Sequence, residues 1–273
     1  MALTKVLITV KTYPTISTKY EELVCTAGFL EDGSWIRIYP VQFRKKSYGE
    51  QYGKYQWIEI DLVKNTEDFR PESFRPYSHE TEIKILDSIK PDGGSWAERR
   101  KLVLNKVYTN LSILISEAKD RKVLTSLAVF KPTEIIDFKV EAVEREWNKE
   151  KLQSLNQLKI FETIDAGKPQ VVKKLPYEFS YIFKDDKGKQ SKLMIEDWEL
   201  GQLYWNCLKI SKDEEVAIKK VREKYFEDFA KTKDLHFFLG TAKTFHLRSP
   251  NPFLVIGTFY PKFTKIEPQL SLF

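Results

Sequence analysis

Through the first ninety residues, apolar positions alternate with polar ones or gather in short β-branched stretches bounded by turn residues. That period predicts strands. They fall at 3–12, 22–30, 34–39, 55–64 and 80–89, with Glu31-Asp32-Gly33 as the turn between the second and third. The stretch 65–78 carries two Arg-Pro steps and is expected to be a loop. Pro91-Asp92-Gly93-Gly94 breaks the chain, and the spacing then changes to that of a helix. Ser95 with Glu98 three residues on has the form of a capping box and predicts a helix through Leu104. A second helix is expected over 110–120. Strand character returns at 123–143, interrupted near Pro132, and 144–159 is charged and helical in pattern. Beyond it, 177–184 and 191–195 bracket Asp185-Asp186-Lys187-Gly188-Lys189 as a hairpin. Helices at 196–208 and 212–231 and strands at 235–240 and 253–260 complete the pattern. No short-period repeat or low-complexity tract interrupts it.

These elements predict an α+β protein, mostly antiparallel. An OB-like or PUA-like barrel or sheet lobe is expected over 1–165, a smaller sheet-and-helix C-terminal lobe over 170–262, and a flexible tail over 263–273. Ala166-Gly167-Lys168-Pro169 is the expected internal boundary. The chain has 273 residues, 42% of them hydrophobic and 31% charged, so it can bury a sizeable core and stay in solution. With 45 Lys and Arg against 39 Asp and Glu, it carries a net charge of +6, a mild excess compatible with a polyanionic partner. Two isolated cysteines, Cys25 and Cys207, supply neither a disulfide framework nor a zinc set. Without the pattern of a signal peptide or an apolar span, the sequence is expected to be cytoplasmic and away from membranes.

Candidate chemistry gathers in three places. In Ser34-Trp35-Ile36-Arg37-Ile38-Tyr39, strand alternation puts Ile36 and Ile38 on a core face. Trp35, Arg37 and Tyr39 fall on the opposite face, two aromatics around a guanidinium, suited to stacking bases and neutralising phosphate; the alternative is a strand buried on both sides with Arg37 in an internal ion pair. Basic and aromatic residues interleave nearby: Phe43, Arg44, Lys45, Lys46 and Tyr48 in one loop, and Phe69, Arg70, Phe74 and Arg75 in another. Cys25-Thr26-Ala27-Gly28 followed by Gly33-Ser34-Trp35-Ile36-Arg37 resembles the opening of bacterial dual-OB-type domains, which implies a barrel serving nucleic acid. Secondly, Asp61 with Glu82-Ile83-Lys84 resembles the Mg²⁺ site of restriction-like nucleases, where two carboxylates hold the metal and the lysine polarises water; the commoner outcome is a surface pair of Lys84 with Asp61 or Glu59. Thirdly, Thr241, Lys243, His246 and Arg248 between two strands form a basic loop able to grip phosphate. The sequence contains no P-loop, dinucleotide fingerprint or zinc spacing, and no cofactor is expected unless the chain is a nuclease, which would need Mg²⁺.

The last five residues carry the most specific pattern. Gln269-Leu270-Ser271-Leu272-Phe273 resembles, at every position, the pentapeptide by which bacterial polymerases, mismatch-repair proteins and initiation regulators dock on the DNA sliding clamp. Pro268 leads the chain out extended, and three apolar anchors on a terminal segment suit a partner's pocket. The resemblance implies recruitment to the clamp. With the first lobe, it leads to the expectation of a nucleic-acid-binding protein, most simply DNA-binding, acting in replication, repair or antiviral defence. The alternatives are a clamp-tethered metal-dependent nuclease, and a clamp-binding adaptor or inhibitor without nucleic-acid binding.

Overall fold

The computed structural model describes residues 2–17, 21–78, 80–150, 152 and 171–263. The protein is α+β. Its first lobe is built from β1 (Ala2–Lys11), β2 (Thr15–Ser17), β3 (Glu21–Phe29), β4 (Trp35–Val41), β5 (Gln56–Lys64), β6 (Ser73–Pro76) and β7 (Ile83–Ser88). β1 pairs with β3 and with β5, β3 with β4, β4 with β6 and β6 with β5, so five strands close on themselves. Only β4 and β6 are parallel within that ring. Closure leaves no open strand edge in the ring. β7 joins β5 beyond β6, and β2 lies beside β3.

Alternation along the strands decides what fills the barrel. Val6 and Ile8 of β1, Ile36 and Ile38 of β4, and Ile58, Ile60 and Leu62 of β5 point into one buried cluster, which Ile83 of β7 joins. β6 was expected to be loop, because Arg-Pro steps punctuate the segment. It pairs nonetheless, since Ser73 and Phe74 supply the contacts to β4 and proline sits at the strand's end. At Gly28 the register of β1 against β3 brings backbone so close that a Cβ would lie 2.0 Å from the Leu7 carbonyl oxygen.

The second lobe begins earlier than Ala166–Pro169, the expected boundary, which lies outside the described residues. β8 (Val107–Tyr108), β9 (Leu127–Phe130) and β10 (Glu134–Ala142) pair with strands far downstream. The order β14-β13-β9-β8 makes a four-stranded sheet with β13 (His236–Thr241) and β14 (Phe253–Phe259). β10, β11 (Tyr177–Lys184) and β12 (Gln190–Met194) form a three-stranded antiparallel sheet. Residues 107–142 therefore belong with the C-terminal half, because strand partnership and not chain continuity assigns them. The expected hairpin is present, and its Asp185 accepts hydrogen bonds from the backbone N–H groups of Lys187 and Lys189, at 3.0 Å each. It also reaches the N–H of Leu111 at the start of α2.

Against these sheets, among the described residues, lie α1 (Ala97–Val103), α2 (Leu111–Lys119), α3 (Trp198–Ser211) and α4 (Glu214–Arg222), the last running on as a π-helical stretch, Glu223–Ala230. The N-cap of α1 is Trp96, at φ 55°, not Ser95, whose hydroxyl instead closes the preceding turn onto the Asp92 carbonyl. Asp197 caps α3, accepting from the Glu199 N–H and pairing with Lys54 of the first lobe at 3.1 Å. Of the helical stretch expected at 144–159, residues 144–148 are not helical, helix is present at 149, 150 and 152, and the rest lies outside the described residues.

The lobes share a core. Val10, Ala27, Phe29, Trp96 and Val103 of the first pack with Leu127, Val129, Phe238, Ile256 and Phe259 of the second in one buried cluster. The outer wall of β1, β3 and β4 is thus covered by the β13-containing sheet.

Candidate nucleic-acid interface

The shared wall decides the fate of the first predicted face. Trp35 is half-buried, its ring 4.0 Å from that of Phe29 and 5.7 Å from that of Phe238. Arg37 is only 2% exposed. Its guanidinium donates to the Ser126 hydroxyl at 2.7 Å, the Ser126 carbonyl at 3.1 Å and the Ser73 hydroxyl at 3.3 Å. Neither residue faces solvent, because the second lobe lies over the side of β4 that alternation left open. The strand is covered on both sides, as the alternative had it, but serine hydroxyls and a carbonyl hold Arg37 in place of the internal ion pair that alternative expected.

Arg37 belongs to a buried polar network that ties the lobes together. Glu72 accepts from the Ser126 hydroxyl at 2.8 Å and from its N–H at 3.1 Å. Asp68 accepts from the Ser73 hydroxyl at 2.8 Å and from Arg70 Nε at 2.9 Å. Arg70, also buried, donates to the Thr241 carbonyl. Thr241 in turn bonds His246 Nδ1 at 2.7 Å. Arg70 and Asp68 form an ion pair, and the guanidinium of Arg37 and the carboxylate of Glu72 are each hydrogen-bonded, as buried charge must be. Burial alone would raise the Asp68 carboxyl, but the hydrogen bonds and charge of Arg70, with the Ser73 hydroxyl, outweigh it and hold the group at about 2. Burial lowers His246 below the usual histidine range, with Arg70 and Arg37 adding to the effect.

The predicted phosphate loop is therefore divided. Thr241 and His246 face inward and are engaged in the network. Lys243 and Arg248 are exposed, with no ion-pair partner among the described residues. The four side chains do not converge on one ligand.

A cleft of about 570 Å³ borders the barrel. Its floor includes Val41, Ile60 and Ile83 from the barrel's own apolar cluster. Around it stand Tyr39 at the end of β4, Lys46, Arg75 of β6, Tyr77 and Lys243. Arg75 donates to the carbonyls of Pro76 and Tyr77, both at 3.2 Å, and has no carboxylate partner among the described residues. Lys46 donates to the Thr81 carbonyl at 2.7 Å and lies 3.4 Å from Glu50. Glu67 is the exposed carboxylate of the lining; Asp68 is held by Arg70. An apolar floor with a few polar groups and two aromatic rings at its edge is the common form of a small-ligand site. Here the surplus of cations favours an anion carrying a flat ring.

The cleft thus brings together Tyr39, Arg75 and Lys243 from three separate stretches of chain, with Arg70 beneath them. Arg44 pairs with Glu22 at 2.6 Å, and Lys45 shares its 3-10 turn, Phe43–Lys45, next to Lys46. Tyr77 and Glu67 were not singled out from sequence; a tyrosine directly after the second Arg-Pro step was the available signal.

The nuclease constellation does not assemble. Lys84 pairs with Glu59 at 2.7 Å across β5 and β7, the surface pair expected of it. Asp61 is half-buried on β5, with Oδ1 shielded and without a hydrogen-bond partner, whereas Glu82 is exposed ahead of β7. Among the described residues no group of three potential ligands could hold a metal ion. No helix among them is long and apolar enough to cross a membrane. Gln269 to Phe273 lie outside the described residues.

Fold and cleft together define a two-lobed α+β protein with a closed mixed barrel and a basic, aromatic-edged cleft. The chain belongs to the family described as Domain of unknown function (DUF8757), whose model matches residues 108–273. Residues 2–105 match a second model, Domain of unknown function (DUF8758). No curated protein matches the chain. The two matches meet where the strand pairings change lobe.

Proposed function

We propose that this chain binds nucleic acid in the cleft beside the barrel and is recruited to the bacterial sliding clamp by Gln269–Phe273, acting in replication, repair or defence against foreign DNA. The observation that carries the first half is the cleft itself. Arg75 and Lys243 present positive charge without carboxylate partners among the described residues, beside the rings of Tyr39 and Tyr77. Base stacking and phosphate neutralisation need that combination. The agreement of Gln269-Leu270-Ser271-Leu272-Phe273 with the clamp-docking pattern supports the second half.

Gel shifts with single-stranded and duplex DNA and RNA, with and without Mg²⁺, test the cleft. Arg75→Glu with Lys243→Glu should weaken binding by roughly tenfold or more and flatten its salt dependence, since each lost phosphate contact releases fewer counterions. Binding that survives both changes in a folded protein removes the cleft from consideration. Cleavage in the Mg²⁺ lanes, lost in Asp61→Asn, would promote the nuclease instead. For the clamp, co-elution with the purified protein should disappear in the Leu272→Ala, Phe273→Ala double variant without a change in melting temperature, because buried apolar anchors dominate such interfaces. Unchanged co-elution would end the recruitment proposal.

A further inference from the structure

The loop after β13 inverts the usual placement of side chains. In Thr244-Phe245-His246-Leu247-Arg248 the histidine is fully buried, while Phe245 is 60% exposed and Leu247 41%. The fold holds His246 down by its bond to the Thr241 hydroxyl and by the Phe69 ring, 5.4 Å away. Phe69 is itself 44% exposed. Backbone hydrogen bonds from Phe245 to the Ala242 carbonyl, and from Arg248 and Ser249 to the Phe245 carbonyl, fix the loop in tight turns. A pinned ridge of exposed apolar side chains is a surface kept for a partner.

The surroundings state the partner's chemistry. Lys243 and Arg248 flank the ridge, and neither has an ion-pair partner among the described residues. Lys243 also lines the cleft, as do Asp68 and Arg70 on either side of Phe69, so ridge and cleft are continuous. The ligand must be anionic, present flat apolar faces, and extend from a concave site over a convex edge. A flat anionic membrane meets the first condition and fails the last. A base-paired duplex hides its base faces in the stack. Resting on the nucleic-acid reading of the cleft, we propose that the Phe69–Phe245 ridge is a stacking surface for single-stranded nucleic acid. The strand runs from the cleft across the ridge with phosphates on Lys243 and Arg248. Splayed bases lie against the phenyl rings, as on the aromatic platforms of strand-binding proteins.

Anisotropy titrations with labelled single strands and the matching duplex, over a series of salt concentrations, test this. The full chain should bind the single strand more tightly than the duplex. Phe69→Ala and Phe245→Ala should each weaken single-strand binding by roughly fivefold or more and leave the salt slope unchanged. Phe245→Trp should keep the affinity, and Phe245→Leu should lose it, which separates stacking from apolar contact alone. Lys243→Gln should lower the single-strand salt slope by about 0.7. Lys243 and Phe245 are exposed, so the melting temperatures of their variants should match that of the parent and confirm folding; a lower value in Phe69→Ala, whose ring packs on His246, leaves the test to the Phe245 variants.

A preference for duplex overturns the proposal. So does equal affinity of the alanine variants, or Phe245-dependent sedimentation with phosphatidylglycerol vesicles by a chain that binds no oligonucleotide. If no nucleic acid binds the parent chain, the cleft reading falls as well. If nucleic acid binds with a slope that responds to Lys243 but not an affinity that responds to phenylalanine, only the ridge falls.

Discussion

Arg37 shows how a single side chain can carry two incompatible roles until its neighbours are known. On an open strand it would meet phosphate; under the second lobe it holds Ser73 and Ser126 in place. Asp68 is the network's titratable weak point. Its carboxyl stands at about 2, below the usual value of an unfolded aspartate, so its contribution is fully present above pH ~4 and is lost as pH falls toward 2. Urea unfolding across that window should show an acid-dependent loss of stability on the order of 2 kcal/mol that is missing in Asp68→Asn, which should be less stable than the parent at neutral pH. A parent and variant with parallel pH profiles would mean that the Arg70–Asp68 pair adds nothing to folding. Residue types in the sequence marked Tyr39 on a strand face, Arg75 in one loop and Lys243 in a separate basic loop, and did not show that one cleft joins them. They misplaced Trp35, Arg37, Thr241 and His246, because alternation reports which face of a strand a residue occupies and not what later covers that face.

At the scale of elements, the strands were legible wherever one side stayed apolar. β5 is the clearest, with Ile58, Ile60 and Leu62 buried and the residues between them half-buried. β6 was not, since it is short, lies among Arg-Pro steps that read as loop, and has in β4 one partner that is parallel and remote in sequence, for which no local pattern exists. Gly28 marks where barrel closure is tightest. Gly28→Ala would drive a methyl group into the Leu7 carbonyl oxygen at 2.0 Å, and the atoms it meets are β1 backbone, which cannot swing aside as a flexible side chain could. The expected cost is roughly 3 kcal/mol or more, read as a fall in the urea midpoint. By contrast Gly49→Ala, where a Cβ meets nothing within 4 Å, should be nearly silent. Equal midpoints for the two variants would show that the β1–β3 approach is looser than described.

For the whole molecule, the shared cluster of Phe29, Trp96, Phe238 and Phe259 implies one cooperative unit. Calorimetry should give a single transition whose van't Hoff and calorimetric enthalpies agree. A fragment ending at residue 105 should expose the outer wall of β1, β3 and β4, bind hydrophobic dyes and aggregate. A soluble fragment with a dispersed amide spectrum would argue for two independent domains. No local pattern announces this joint, because it is made by side chains from distant parts of the chain packing together, as Phe29 does against Phe238.

That common core also bears on descent. The two family matches end and begin at 105 and 108, yet the seam between them cuts through packed aromatic rings. Recombination at that seam would yield two insoluble products, so the halves should be inherited as one gene. Across relatives, a change of volume at Phe29 should be answered by a compensating change at Phe238, whose ring centroid lies 6.4 Å away.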